Sequence, residues 1–295
     1  MNGFLNVLKP PEMTSHDVVA FVRRMLPRGS RVGHLGTLDP LAVGVLPLAV
    51  GQATRLIQYL PLARKLYLAE VTLGLASDTL DAGGEVVETG PVEAVSRARV
   101  EEVCSRFRGS LMQVPPRVSA LRVQGRRGYE RARQGEDFEL EPRPAVYHEV
   151  RLLDFELPVL RLLVDCGPGT YVRSLARDLG RELGTGAILS FLVRLGSGPF
   201  QLESSLTLEE LLAARRADRL DGCVLSCSKA LADLPEVEVA RLPGKGSQVT
   251  ASPRGEVTSA ATVRMVDPTG DQAVGAVTAP SPLTVRMLCE IPGAP

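Results

Sequence analysis

Asp39 is the side chain around which chemistry can be built. It lies in Gly33-His34-Leu35-Gly36-Thr37-Leu38-Asp39-Pro40, a carboxylate between an apolar residue and a proline within a run of turn formers. Proline pushes the residue before it toward extended backbone, so Asp39 sits on stiff chain and its carboxylate is aimed. A carboxylate held this way can attack or stabilise an electron-poor anomeric carbon, as in the cleavage of a glycosidic bond. The same surroundings also suit a turn aspartate that bonds its own backbone. Metal chemistry lacks ligands: only His16, His34 and His148 are available, and the five cysteines form no Cys-x-x-Cys pair. No metal site is expected.

The elements that must position this segment follow from periodicity. Gly3 to Leu8 reads as a short strand ending at Lys9-Pro10-Pro11, and Asp17 to Leu26 as an amphipathic helix behind Thr14-Ser15. Leu41 to Val50 is an apolar segment, and Ala53 to Leu60 reads as a short helix. Lys65 to Leu73 and Leu157 to Cys166 read as strands, while Val92 to Phe107, Tyr171 to Leu183 and Thr207 to Ala214 read as helices, the last with a Thr207/Glu210 capping box. Beyond about residue 235 short β-like segments with turns between them suggest a separate small β module over 236–295, which leaves 1–235 as the main domain.

Length and composition bound the rest. The 295 residues, 44% of them apolar, suffice for two domains with a core. No run of about 18 apolar residues is present, and the N-terminus has no basic start followed by an apolar block, so neither a membrane span nor a secretory leader is expected. Five cysteines without pairing signals suit a reducing cytoplasm. The 34 basic and 34 acidic residues cancel, which at face value argues against a polyanionic partner. The sum hides blocks: Glu70 to Glu102 holds eight acids and two arginines, while Ser105 to Gly135 holds eight arginines and one acid. Arginines outnumber lysines 30 to four, so Lys9 and Lys65 stand out.

The Asp39 segment, continued through Leu41-Ala42-Val43-Gly44-Val45-Leu46 and Gly51-Gln52-Ala53-Thr54-Arg55, resembles the signature of the TruB family of bacterial tRNA pseudouridine-55 synthases. The resemblance runs in order from about residue 3 to 212. It takes in Lys9-Pro10 with Thr14-Ser15, Lys65-Leu66-Tyr67, Ser77-Asp78-Thr79-Leu80-Asp81, Gln113-Val114-Pro115-Pro116, Tyr129 to Gly135, Gly169-Thr170-Tyr171-Val172-Arg173 and Asp178-Leu179-Gly180. It implies an α+β fold, with a mixed, largely antiparallel sheet flanked by helices, a catalytic cleft along it and a PUA-like β module at the C-terminus. It further implies isomerisation of a uridine in the TΨC loop of tRNA to pseudouridine, by a cytoplasmic, monomeric enzyme without metal or organic cofactor and with no obligate protein partner.

By the same resemblance Asp39 is the nucleophile, Tyr67 the tyrosine that stacks on the target base, and Arg173 the arginine that pairs with the aspartate. His34 takes part in base extrusion, a step that costs a few kcal/mol of unstacking. Tyr171 and Leu192 line the pocket for the flipped base, and Lys9 stands beside the active site. The stretch from about 105 to 140, including Arg122, Arg126 and Arg127, falls where the family carries an RNA-gripping insertion.

The chain departs from the pattern at Glu12 (commonly Gly), Leu35 (commonly a small residue), Val118 (commonly aromatic), Pro168 (commonly basic) and Val193 (one of two usual arginines). None of these changes falls on Asp39, Tyr67 or Arg173 themselves, so the expectation is intact chemistry with weakened RNA grip. Two other readings compete. A non-catalytic RNA binder would need none of those three residues together. A glycoside hydrolase using Asp39 with Asp78 or Asp81 would want an aromatic-rich cleft, which 4% aromatics and no Trp disfavour.

Overall fold

The structure, a computed structural model, describes residues 1–60, 64–119, 121–123, 126–127, 131, 134, 136, 138, 140–258 and 261–292. In chain order the elements are β1 (Gly3–Lys9), α1 (Ser15–Met25), β2 (Val32–His34), β3 (Val43–Val50), β4 (Lys65–Leu73), β5 (Leu75–Ser77), β6 (Val86–Glu88), α2 (Arg97–Arg106) and β7 (Gly109–Gln113). There follow β8 (Arg122–Val123), β9 (Arg126–Arg127), β10 (Arg143–Glu156), β11 (Val159–Cys166), α3 (Val172–Leu183), β12 (Ala187–Ser197), β13 (Phe200–Gln201), α4 (Leu208–Arg216) and α5 (Cys227–Ala230). The C-terminal strands are β14 (Glu236–Glu238), β15 (Gln248–Thr250), β16 (Ser252–Pro253), β17 (Thr262–Val266), β18 (Gln272–Pro280) and β19 (Leu283–Glu290).

The chain divides into two compact units, one of residues 1–40, 44–61 and 198–295, the other of 41–43 and 62–197. In the first unit β3 is the middle strand, with β1 antiparallel on one side (Gly3↔Val50 to Lys9↔Gly44) and β2 antiparallel on the other (Val32↔Val50 to His34↔Leu48). The second edge of β1 is closed from far along the chain. Phe4 exchanges both backbone hydrogen bonds with Leu225, at 2.8 and 2.9 Å, and Leu8 N–H donates to Leu206 at 2.8 Å. The capping box that starts α1 pairs Thr14 with Asp17, and its inner face buries Val18, Val19, Val22 and Met25. Thr207 and Glu210 form the expected box at α4. The six-stranded C-terminal sheet runs β15-β19-β18-β17-β14-β16, antiparallel except for β14 with β17. Val237, Val263, Met265, Ala273, Val285 and Met287 form its core.

The second unit is built on the antiparallel order β12-β4-β11-β10-β7. Helix α3 lies on β12 and β4, and α2 lies on β10 and α3. Leu175, Ala176 and Leu179 of α3 are fully buried, as are Ala69, Val71, Leu160, Leu162 and Val164 of the sheet. Each such leucine or valine contributes roughly 1.5–3 kcal/mol of burial.

Three expectations shift. The helix over 53–60 is a 3-10 segment, Gly51–Tyr59. The helix over 92–107 shortens to Arg97–Arg106, because Ser96 caps it by accepting from Arg99 N–H. Strands β10 and β12 have no counterpart in the periodic reading. Both carry register shifts, and β12 has apolar residues on both faces (Leu192 on one, Phe191, Val193 and Leu195 on the other), so neither shows clean alternation.

Candidate active-site residues

The residues singled out by sequence fall in both units: Lys9, His34 and Asp39 in the first, Tyr67, Tyr171, Arg173 and Leu192 in the second. Their surroundings are built from the backbone outward.

In the first unit the turn that carries Asp39 is held on both sides. The Ser15 hydroxyl, 2% exposed, accepts from Leu38 N–H at 2.8 Å and donates to Leu38 C=O at 3.0 Å. On the other side, the fully buried Lys9 Nζ donates to the carbonyls of Pro40 at 3.0 Å and Pro10 at 2.8 Å. Glu12 N–H also donates to Pro40, at 2.9 Å. Leu35 and Leu38, 1% and 3% exposed, anchor the turn in the core, and Gly36 takes φ of 100°, which suits glycine alone. Asp39 itself is half-buried. The structure thus brings Lys9 to the backbone beside Asp39. His34 ends β2, half-buried, opposite Leu48.

Glu12, where glycine is common, keeps the left-handed backbone at φ 66°. A side chain there costs on the order of 1–2 kcal/mol, and the hydrogen bond to Pro40 holds the conformation in place.

In the second unit Tyr67 lies in the middle of β4, 6% exposed, opposite Val164 on β11 and Arg194 on β12. Leu192 pairs with Ala69, so Leu192, Arg194, Tyr67 and Ala69 share one face of the sheet. Arg194 is fully buried. Lys65, on that same face, has its pKa pushed down by burial and then by the Arg194 charge.

Arg173, in the first turn of α3, is 5% exposed. It donates to Thr79 C=O at 2.9 Å and Val118 C=O at 3.0 Å, and lies 3.5 Å from the Asp81 carboxylate. The Ser77-to-Asp81 loop is rigid: Ser77 Oγ donates to Asp81 C=O at 2.7 Å, Thr79 Oγ1 to the Asp81 carboxylate at 2.7 Å, and Leu80 sits at φ 64°. Two backbone bonds, Ala82 to Leu189 at 3.1 Å and Leu189 to Leu80 at 3.0 Å, tie it to β12. Asp78 accepts from Glu85 N–H at 2.9 Å. Both carboxylates weighed as hydrolase partners therefore serve the loop and Arg173.

Tyr171, just before α3, is fixed by Gln113. That side chain, 3% exposed, accepts from Tyr171 N–H at 2.9 Å and donates to Tyr171 C=O at 3.1 Å and to the Tyr147 hydroxyl at 2.6 Å. Sequence reasoning gives Ser15 and Gln113 no role and omits Arg194. Their signal is a polar residue at a position that the surrounding apolar pattern marks as buried.

The arginine block is less basic than its composition. Arg106 pairs with Glu102 at 2.6 Å and Glu182 at 3.0 Å, and Arg131 with Glu136 at 2.7 Å. The backbones of Arg122 and Arg127 pair across the β8–β9 hairpin, as do those of Val123 and Arg126, but the side chains of Arg122, Arg126 and Arg127 lie outside the described residues, as does most of 128–135. Among the described residues no group of three or more His, Cys, Asp or Glu is placed to hold a metal ion, and no helix is long and apolar enough to cross a membrane.

Comparison with known proteins agrees with the motifs. A family model described as TruB family pseudouridylate synthase, N-terminal domain, matches residues 23–172, and one described as tRNA pseudouridylate synthase B C-terminal domain matches 173–232. A tRNA pseudouridine synthase B of Symbiobacterium thermophilum is 50% identical over 242 residues, 81% of this chain and 79% of its own. One from Heliobacterium modesticaldum is 45% identical over 242 residues, covering 81% and 78%. Among solved structures, a Cbf5-Nop10-Gar1 complex matches with TM-score 0.77 at 27% identity, over 99% of this chain and 85% of that one. An H/ACA RNP bound to a substrate RNA containing 2'-deoxyuridine matches with TM-score 0.74 at 25% identity, over 99% and 86%. By these matches, which run through the Asp39 turn, β4 and the start of α3, the chain belongs to the TruB family of pseudouridylate synthases.

Proposed function

We propose that the protein converts the uridine at position 55, in the TΨC loop of tRNA, to pseudouridine, with Asp39 as nucleophile. The reaction breaks the bond from uracil N1 to ribose C1′, turns the base, and joins C5 to C1′. The proton lost from C5 balances the one gained at N1, so nothing is consumed. A carboxylate is suited to an electron-poor C1′. The observation that carries the reading is the turn itself: Ser15 and Lys9 hold the backbone on either side of Asp39. Such fixed placement is what a near-attack geometry requires.

Tyr67 stacks on the uracil and Arg173 pairs with the nucleophilic carboxylate and aligns it. His34 takes part in base extrusion, Tyr171 and Leu192 line the pocket, and Lys9 positions the turn. The stretch 105–140, with Arg122, Arg126 and Arg127, grips the RNA, and the 236–295 module binds the acceptor arm. The enzyme acts in the cytoplasm as a monomer, with tRNA its partner and no cofactor. The names of the curated relatives support the tRNA substrate.

The test is an unmodified tRNA transcript incubated with wild type and Asp39→Asn, with pseudouridine mapped afterwards. Wild type is expected to modify one uridine in the TΨC loop, and Asp39→Asn none, with tRNA binding retained. A wild type that leaves that loop unmodified overturns the position; full turnover by Asp39→Asn overturns the nucleophile.

A further inference from the structure

In a chain whose acids and bases balance, one surface of the first unit does not. Arg23 and Arg24 end α1, Arg28 and Arg31 lie in the loop after it, and Arg215 and Arg216 end α4. The two helix ends meet, because Arg215 Nε donates to Met25 C=O at 2.9 Å. Arg219 follows directly. All seven are exposed. Within residues 18–32 and 211–222 the acids are Asp218 and Asp221 alone.

Several exposed arginines elsewhere are matched to carboxylates, Arg99 and Arg106 to Glu102, Arg161 to Glu70 and Arg254 to Glu236 and Glu238, whereas Arg55, Arg108, Arg241 and Arg286 form no ion pair among the described residues but are not gathered on two meeting helix ends. Here, among the described residues, the one ion pair is Arg215 with Asp218, long at 3.9 Å and fully exposed on the Asp218 side. The loop that carries Arg28 is ordered by Ser30, whose N–H and hydroxyl both donate to Pro27 C=O at 3.1 and 2.7 Å. Arg23 donates to Val32 C=O at 3.5 Å and Arg24 lies over the Phe21 ring, while Arg28, Arg31, Arg216 and Arg219 form no ion pair among the described residues. Exposed guanidinium groups of this kind suit phosphate oxygens, which arginine can bind in bidentate fashion.

None of the large apolar side chains exposed among the described residues lies in these two segments. A protein partner or a membrane surface would want such anchors. The patch also has a defined reach. Ser15, at the other end of α1, bonds the residue before Asp39, and the 11 residues of α1 span about 15 Å.

We propose that the converging ends of α1 and α4 form a second RNA-backbone binding surface, separate from the 105–140 stretch, which takes phosphates of the same RNA whose uridine reaches Asp39. It rests on the reading of the protein as an RNA-modifying enzyme, and it adds a phosphate site to that reading.

The test uses the full chain with Arg28→Gln, Arg216→Gln and Arg219→Gln combined, side chains that meet no carboxylate and no part of the Asp39 turn. Binding of an unmodified tRNA transcript is measured from 50 to 200 mM KCl, alongside kcat, KM and Tm. Loss of three phosphate contacts should reduce the slope of log K against log salt by about 2. KM should rise roughly tenfold at 100 mM KCl, with kcat and Tm unchanged, and the corresponding Arg→Lys triple should restore the slope. An unchanged slope and affinity overturn the proposal, even if binding of an acidic protein or anionic vesicles is lost; so does a loss of affinity with the slope intact. If wild type forms no pseudouridine yet the triple lowers the slope, the isomerase reading fails and this surface stands. If wild type is active and the slope does not move, the reverse holds.

Discussion

The Ser15 hydroxyl bonds both backbone groups of Leu38, accepting from its N–H at 2.8 Å and donating to its C=O at 3.0 Å. Leu38 is the residue before Asp39, and among the described residues no other side chain bonds its backbone. Ser15→Ala would leave a buried donor and acceptor unpaired, a cost of about 1–3 kcal/mol each at most. A lowered Tm alone would describe a structural residue. The expected signature is a fall in kcat on the order of 10²-fold with KM for tRNA unchanged, as a displaced reacting group produces. Ser15→Thr, which keeps the hydroxyl, should recover much of kcat. Equal kcat in Ser15→Ala and wild type would remove Ser15 from the positioning of Asp39.

Arg173 joins the Thr79 and Val118 carbonyls and the Asp81 carboxylate through one planar fork. Lysine cannot reproduce that geometry. Arg173→Lys should lower stability by about 2–4 kcal/mol and cut kcat severely, since the ammonium keeps the charge but leaves part of this buried acceptor set unpaired. Asp81→Asn should cost less, because the amide oxygen can still accept. In a double-mutant cycle by urea unfolding the two changes should be clearly non-additive. Additivity would mean the 3.5 Å pair carries no coupling.

Gly180 owes its place in the family-like motif to packing. A Cβ there would stand 2.3 Å from Ala187 N and 2.4 Å from Gly186 C, both backbone atoms of the chain that turns from α3 into β12. Thr185 and Gly186 N–H also donate to Gly180 C=O at 3.0 and 3.3 Å. Gly180→Ala should destabilise by about 3 kcal/mol or more, the upper range for overpacking. Gly222→Ala, with nothing within 4 Å, serves as the control and should leave Tm within a degree or two.

Burial pushes the Cys104 thiol up to about 11, Cys166 to about 12 and Cys227 to about 11, from an ordinary 9.0. Folded-state values above the unfolded one mean that these thiols support the fold fully below pH 9. That contribution is lost as pH rises from 9 through 11–12, when the unfolded chain ionises first. Tm should therefore decline above pH 9, and less steeply in Cys166→Ala measured against its own value at pH 7. A thiol reagent at pH 8 should modify Cys223 and Cys289, which are partly exposed, and spare the other three until unfolding.

Local chemistry was legible in the residues where a signal and its effect lie close together. The Thr14 and Thr207 caps, the alternation of β4 and the β texture after 235 all concern neighbours within a few positions. Strand β12 was not legible, because apolar residues on both of its faces erase the period-2 pattern, and β10 was obscured by register shifts. The clamp on Leu38 spans 23 residues and Gln113 reaches Tyr171 across 58, so no window of sequence displays either. Motif order identified Asp39, Tyr67 and Arg173 as candidates; it could not say that Ser15 and Gln113 hold the backbone around them.

The closure of β1 by Leu206 and Leu225 has a consequence for the order in which the protein is made. Strand β1, which carries Lys9, is translated about 200 residues ahead of the segments that complete its edge. At 5–20 residues per second that is a wait of roughly 10–40 s. During that interval a strand with Phe4, Leu5 and Val7, all fully buried in the finished protein, has an open edge. The Asp39 turn, which Lys9 helps to hold, therefore matures only after segments far downstream of it have been made.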